Sequence, residues 1–216
     1  LFYNSDLSVR PGLPKSCRLV EDLTDLLPSQ IPLLFMGLPS REEFVSERSP
    51  GLRNMDEAHK IAEICKRLVK SKYCRADDIG VIAPYRAQVQ AVRQLLRKEK
   101  LDTVKVGTVG DYQGQEGRVI IISTSLSSDR SFNAEKTLGQ GFVGNSAKKF
   151  NVSITRAERL LIVVGNPFIL LLDRYWAELI HYSVRLRCYA GVTFPGMDQI
   201  SVDKSRDASL QIPQTL

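Results

Sequence analysis

The stretch VGTVGDYQGQE, residues 106–116, decides how this chain folds. It ends one apolar run, carries Gly107, Gly110 and Gly114 with Gly117 just behind, and leads into a second apolar run at 119–122. Two buried strands joined through a polar turn follow from that pattern. Glycines let a backbone approach a ligand or take a positive φ, and Thr108, Asp111, Gln113, Gln115 and Glu116 supply donors and acceptors. The segment by itself fits either a phosphate or nucleic-acid site or a plain glycine-rich turn between core strands.

Working outward, the run 79–83 is short and β-branched and ends in Pro84, Tyr85 and Arg86. Val89, Val92, Leu95 and Leu96 then mark a helix whose other side carries Arg93, Arg97 and Lys98. The sequence predicts strands over 105–109 and 119–125, and Leu160, Leu161, Ile162, Val163 and Val164 form a strand buried on both faces. Between them, KKFNVSITRAE at 148–158 reads as a helix or turn packed on the sheet. Strands alternating with helices predict an α/β domain with a mainly parallel central sheet flanked by helices, whose ligands lie beyond the carboxyl ends of the strands.

The remaining chain frames that core. Residues 1–30 hold Pro11, Pro14 and Pro28 and read as an irregular lead-in, 31–37 as a first strand, and the stretch to Arg53 as a loop. Asn54 followed by Glu57 resembles a helix-start box, and Ala58, Ile61, Ala62, Cys65, Leu68 and Val69 continue a helix over 55–73. Its first turn spells Asp56, Glu57, Ala58, His59, which tempts a magnesium site. No apolar strand precedes it to bury the carboxylates, so the helix dipole accounts for the acids. Residues 126–147 are too long for a simple turn, and hence functional or mobile. A helix over 167–187 places Leu172, Trp176, Leu179, Ile180 and Ser183 on one side, and a polar tail follows. The domain proper is set at 31–192, with 193–216 as the tail.

With 43% apolar and 25% charged residues, the 216-residue chain reads as a globular protein with a full core. Its net charge of +6 suits a polyanionic partner without requiring one. Cys17, Cys65, Cys74 and Cys188 form no Cys-x-x-Cys pair, so buried thiols are expected in place of a zinc site. Every apolar run is too short for a membrane span. The start at Leu1, Phe2, Tyr3 without methionine reads as part of something larger.

Four segments, at Pro84–Arg86, at 108–116, at 123–126 and at Thr155 with Arg156, are expected on one rim after the strands. They offer an aromatic face, two bidentate cations and polar side chains, as a nucleotide rim would. Yet no glycine in the chain is followed by lysine, so the phosphate-binding loop is missing. No apolar strand ends in the acidic pair that would hold magnesium. The chain carries half of a site.

These motifs carry a resemblance. LFYNSDL at the start, IGVIAPYRAQV, VGTVGDYQGQEGRVIIIS and KKFNVSITRAERLLIVVGNP resemble motifs IV through VI of superfamily 1B helicases, in the order the family has them. The group is the RNA helicases related to the nonsense-mediated-decay helicase. GFVGNSAKKFNVSITRA and NPFILLLDRYWAELIHY resemble its Armitage branch, which works in small-RNA silencing of the piRNA type. The resemblance covers residues 1–7 and 79–167. It implies a second RecA-like domain, with ATP and Mg2+ shared with a first RecA-like domain that carries the phosphate loop and the metal ligands. It further implies that Tyr85 stacks on adenine, Arg86 reaches the γ-phosphate, Gln113 senses that phosphate, Glu116 bonds the ribose and Arg156 is the arginine finger. Pro84, Thr108 and Val109 are expected towards single-stranded RNA.

What else follows is an ATP-dependent motor moving 5′ to 3′ on RNA, cytoplasmic and in ribonucleoprotein granules, with small-RNA silencing proteins as partners. By itself this chain should be inactive. Departures stand at Gly110, Tyr112, Lys149 and Leu126, where the family favours an acid, phenylalanine, arginine and arginine. The last leaves room for a scaffold with a decayed ATPase, and a DNA helicase of the same superfamily fits the same residues.

Overall fold

The computed structural model describes residues 31–45, 51–139, 141–144 and 147–201. The lead-in 1–30 and residues 202–216 lie outside them. Its strands are β1 (Leu33–Gly37), β2 (Glu42–Phe44), β3 (Leu52–Asn54), β4 (Ile79–Ala83), β5 (Lys105–Thr108), β6 (Gly117–Ser123), β7 (Ala157–Gly165) and β8 (Tyr189–Gly191). Its helices are α1 (Met55–Lys70), α2 (Arg86–Lys98), α3 (Asp129–Leu138), α4 (Ala147–Ile154), α5 (Pro167–Leu170) and α6 (Arg174–Arg185).

Six strands form one sheet in the order β5-β4-β6-β7-β1-β8, and each of its five pairings is parallel. The two-residue alternation of strand side chains sorts the core into two layers. Val81, Val106, Val119, Ile121, Leu160 and Ile162 face α1 and α2, meeting Ile61, Cys65, Leu68, Val92 and Leu96. Ile82, Ile120, Ile122, Leu161 and Val163 face the other way, onto Phe150 of α4 and Trp176 and Ile180 of α6. Covering both faces of a parallel sheet is what its continuous apolar strands require. This is the expected α/β, RecA-like architecture.

Several expectations are corrected. The loop expected up to Arg53 contains the antiparallel pair β2–β3, whose three-residue strands are too short to show a period. Residues 126–147 contain α3, started by the Ser128 side chain, which accepts from Ser131 N, and ended at Gly139 with φ 63. The single helix over 167–187 is two, because Asp173 caps a new start by accepting from the backbone N–H groups of Tyr175 and Trp176. Leu172, in the break, is 57% exposed and does not join the buried side. Strand β8 extends the sheet beyond the helix, and a 3-10 turn at Met197–Gln199 stands where a tail was expected, because Phe194, Met197 and Ile200 pack on the second layer. Cys65, Cys74 and Cys188 are buried, and burial pushes the Cys65 thiol up to about 12.

Candidate nucleotide and nucleic-acid site

The connection between β5 and β6 sets the geometry of the site. The two strands are not neighbours; β4 lies between them, and all three run the same way. The chain therefore leaves β5 at the carboxyl end of the sheet and must return to the amino end before β6 can start. Residues 109–114 make that return in successive turns, with Gln113 N donating to Gly110 O at 3.2 Å and Gln115 N to Tyr112 O at 3.1 Å. Tyr112 anchors the descent, its buried ring against Gly80 and its hydroxyl donating to Lys105 O at 2.8 Å. Gly80 and Gly107 leave room for this packing: a Cβ at Gly80 would stand 2.6 Å from the Tyr112 hydroxyl. A groove of about 380 Å³ runs beside the return, lined by Arg93, Lys105, Asp111, Tyr112 and Gln115 among others.

One consequence is that the expected single rim divides. Ala83 is level with Thr108, and Ile82 with Ile122, so Pro84, Tyr85, Arg86, Thr108 and Val109 gather with Ser123 at the carboxyl end. Gly117 is level with Ala157, which places Glu116 and Arg156 at the amino end. Six residues of β6 separate the two levels, about 20 Å at strand rise. Thr155 and Arg156 do not follow a strand; they precede β7.

At the amino end, Gly117 N donates to Arg156 O at 3.0 Å. The Arg156 guanidinium is held by its own turn: Nε donates to Val152 O at 2.8 Å and Nη2 to Thr155 Oγ1 at 3.0 Å. A longer contact of 3.5 Å joins Nη1 to Gln115 O. A guanidinium has five N–H groups, so this grip orients it and still leaves donors for an outside acceptor. Gln113 and Glu116, on either side of Gln115 in sequence, are exposed. Arg156 offers an anionic ligand a charge already in place, while Gln113 and Glu116 add exposed polar side chains suited to its neutral groups.

At the carboxyl end, Arg86 is exposed as the first residue of α2. Asp111 accepts from Thr108 N at 2.7 Å and Thr108 Oγ1 at 2.8 Å, and those bonds hold its carboxyl below the usual range, with help from Arg86 and Arg93. Tyr85 departs from expectation. It is 7% exposed, packed in the second layer, and its hydroxyl donates to Glu135 Oε2 at 2.7 Å. Burial raises both groups, Tyr85 through its closed environment and the Glu135 carboxylate beside it, and Glu135 despite the bonds from Tyr85 and Gly141 N. Tyr85 presents no free face for a base, and Arg86 and Arg156 lie at opposite ends of the sheet. Leu126 is likewise no rim residue: it is 1% exposed among core side chains, a place that suits an apolar group.

The sequence reading missed the node beneath this end. The Asn54 side chain caps α1 by accepting from Glu57 N at 3.1 Å, but the reciprocal half of the helix-start box is absent. Asn54 N donates instead to Gln88 Oε1 at 2.7 Å, and the Glu57 carboxylate turns inward to Ser123, Thr124 and Ser125. Only the coincidence of a capping residue with an unusually polar strand end, Ser-Thr-Ser, hinted at it. Among the described residues no His/Cys/Asp/Glu group could hold a metal ion, and no helix is long and apolar enough to cross a membrane.

Comparison with known proteins agrees with this architecture. A family model described as AAA domain matches residues 1–167. The human "RNA helicase Mov10l1" is 40% identical over 197 residues, covering 90% of this chain and 16% of that protein. "Putative helicase mov-10-B.2" of Danio rerio is 36% identical over 200 residues (86% of this chain, 20% of that protein), and "Probable RNA helicase armi" of Drosophila melanogaster is 30% identical over 205 (91% and 17%). The chain spans about a fifth of the length of these relatives. It belongs to the AAA-domain family matched here, among superfamily 1 helicases of the Mov10 and Armitage kind.

Proposed function

We propose that this chain is the second motor domain of an ATP-dependent RNA helicase, with the two ends of its sheet serving different ligands. The amino end, with Arg156, Gln113 and Glu116, meets ATP carried with Mg2+ by a first RecA-like domain. The carboxyl end, with Pro84, Arg86, Thr108 and Val109, meets single-stranded RNA. The observation that carries the reading is the Gly117–Arg156 backbone bond of 3.0 Å, which brings the end of the glycine-rich stretch beside an oriented guanidinium.

The chemistry asked of Arg156 is electrostatic. A cation already oriented needs no reorganisation when charge develops on a transferring phosphoryl group, and such an arginine is commonly worth about 10³–10⁵ in rate. Bound ATP and Mg2+ supply the phosphoryl group and neutralise its charge; Arg156 adds to that from across the domain boundary. Tyr85, closed into the core, is left out of the nucleotide site in this reading, and Arg86 moves from γ-phosphate to RNA phosphate. The segment 106–116 then joins both ligands: it begins at the RNA end and finishes at the ATP end. A role in piRNA-type silencing is part of the proposal, in keeping with the RNA helicase relatives; movement 5′ to 3′, partner proteins of that pathway and a cytoplasmic granule location belong to it through the family resemblance alone. RNA contacts of this kind go mainly to phosphate and sugar, with little sequence choice.

The test is RNA-stimulated ATP hydrolysis by the full-length protein carrying Arg156→Ala. Loss of hydrolysis with RNA binding kept is the expected result; unchanged hydrolysis would overturn the finger assignment. DNA as the better stimulant would move the protein to the DNA helicases, and no hydrolysis in the unaltered protein would favour a scaffold.

A further inference from the structure

Beneath the carboxyl end of β6 lies a carboxyl group that none of these roles uses. Glu57, in the first turn of α1, is fully buried. It accepts from Ser123 Oγ at 2.6 Å, Thr124 Oγ1 at 3.2 Å and Ser125 N at 2.9 Å, three consecutive residues of one segment. Gln88 extends the node by donating through Nε2 to Ser123 Oγ at 2.9 Å and Asn54 O at 3.0 Å. The first turn of α2, which opens at Arg86, thus hangs on the same carboxyl group.

What this node holds is strained. Ser125 has φ 66, the left-handed region, which a residue with a Cβ rarely adopts and keeps only if its surroundings hold it. Beyond it a second carboxylate grips the same loop: Glu42 accepts from Ser127 N at 2.6 Å and from Ser128 Oγ, while its own N donates to Ser127 Oγ at 2.7 Å. Starting α1 needs no buried acid, since Asn54 caps it and exposed Asp56 faces the dipole. Burial is costly for this group and pushes Glu57 up to about 7 against the pull of its donors. A group so placed acts on the loop rather than on the helix.

We infer that Glu57 is a positioning residue for nucleic-acid binding: it holds the loop 123–128 in its left-handed turn and, through Ser123 and Gln88, sets the start of α2. Arg86 and the loop then present one surface to the phosphates of a single strand. This rests on the reading that the carboxyl end meets RNA.

The test uses the full-length protein, an oligouridylate as RNA, and ATP hydrolysis as readout. Glu57→Ala removes every acceptor and raises the RNA KM about tenfold, the scale of a buried donor left unpaired. Glu57→Gln keeps an amide oxygen for Ser125 N and raises it about threefold; it also carries the test should the alanine variant not fold. In both, the ATP KM stays where it was. An RNA KM equal to wild type in the folded variants, or RNA and ATP KM rising together, overturns the inference. Hydrolysis by the unaltered protein that ignores RNA would overturn the reading of the carboxyl end itself, a different and separable result.

Discussion

The two ends of the sheet hold their arginines in opposite ways. Arg156 at the amino end is gripped by the carbonyl and hydroxyl groups of its own turn, with Nε and Nη2 both bonded. Arg86 at the carboxyl end is exposed at a helix start, and what is tightly held there is the backbone around it, through Gln88, Ser123 and Glu57. The difference matches two kinds of work. A charge that must meet one phosphoryl group in one geometry benefits from an oriented side chain. A charge that tracks a flexible, repeating polyanion needs a placed backbone and a free arm.

The largest expected effect breaks the comparison at its amino end. In the full-length protein Arg156→Ala lowers RNA-stimulated kcat about 10³-fold while RNA affinity, measured by fluorescence anisotropy, stays near wild type. A parallel fall in RNA affinity would mean that the two ends are not separate.

Next comes the pH dependence of the buried node. Glu57 is raised from 4.5 to about 7 on folding, so the folded state binds more protons than the unfolded state between those values. Its contribution is complete below pH 4.5 and is lost as pH rises towards 7, by ~3 kcal/mol in all. Hydrogen exchange at the β6 amides of the full-length protein, corrected for intrinsic rates, should show protection falling over this range. Glu57→Gln should flatten the profile, and an unchanged slope in that variant would place the titrating group elsewhere.

A smaller effect sharpens the assignment of Tyr85. Tyr85→Phe removes the bond to Glu135 and leaves a buried carboxylate short of one donor, lowering thermal stability by ~1–3 kcal/mol. The ATP KM should not move. A large rise in it would return Tyr85 to the nucleotide site.

Smallest is Arg86→Ala, which should weaken RNA binding about uniformly across sequences and reduce the slope of log affinity against log salt by about 1. A loss of kcat in place of RNA affinity would bring Arg86 back to the γ-phosphate.

Much of the architecture is legible in the sequence. The runs at 79–83, 119–122 and 160–164 announce parallel strands because burial on both faces leaves no polar alternation, and the Ala58–Leu68 spacing announces α1. Less legible were strands such as β2, β3 and β8, three residues each, where a period of two has nothing to repeat. The break at Asp173 was also hidden, since a capping aspartate inside a helical pattern reads as a surface residue until its N–H partners are seen.

The sequence by itself determined the residue types that the proposed site uses and their order along the chain, because glycines, an arginine after a helix and β-branched runs constrain local conformation directly. Only the tertiary structure decided which of them can act together. Segment 106–116 looks like one turn in sequence, yet β4 separates the strands on either side, so the chain between them must travel the length of the sheet. That path carries Thr108 to one end and Glu116 to the other. Glu57 makes the same point at longer range: its local reading as a first-turn acid was complete in itself, and its partner at Ser125 stands 68 residues away.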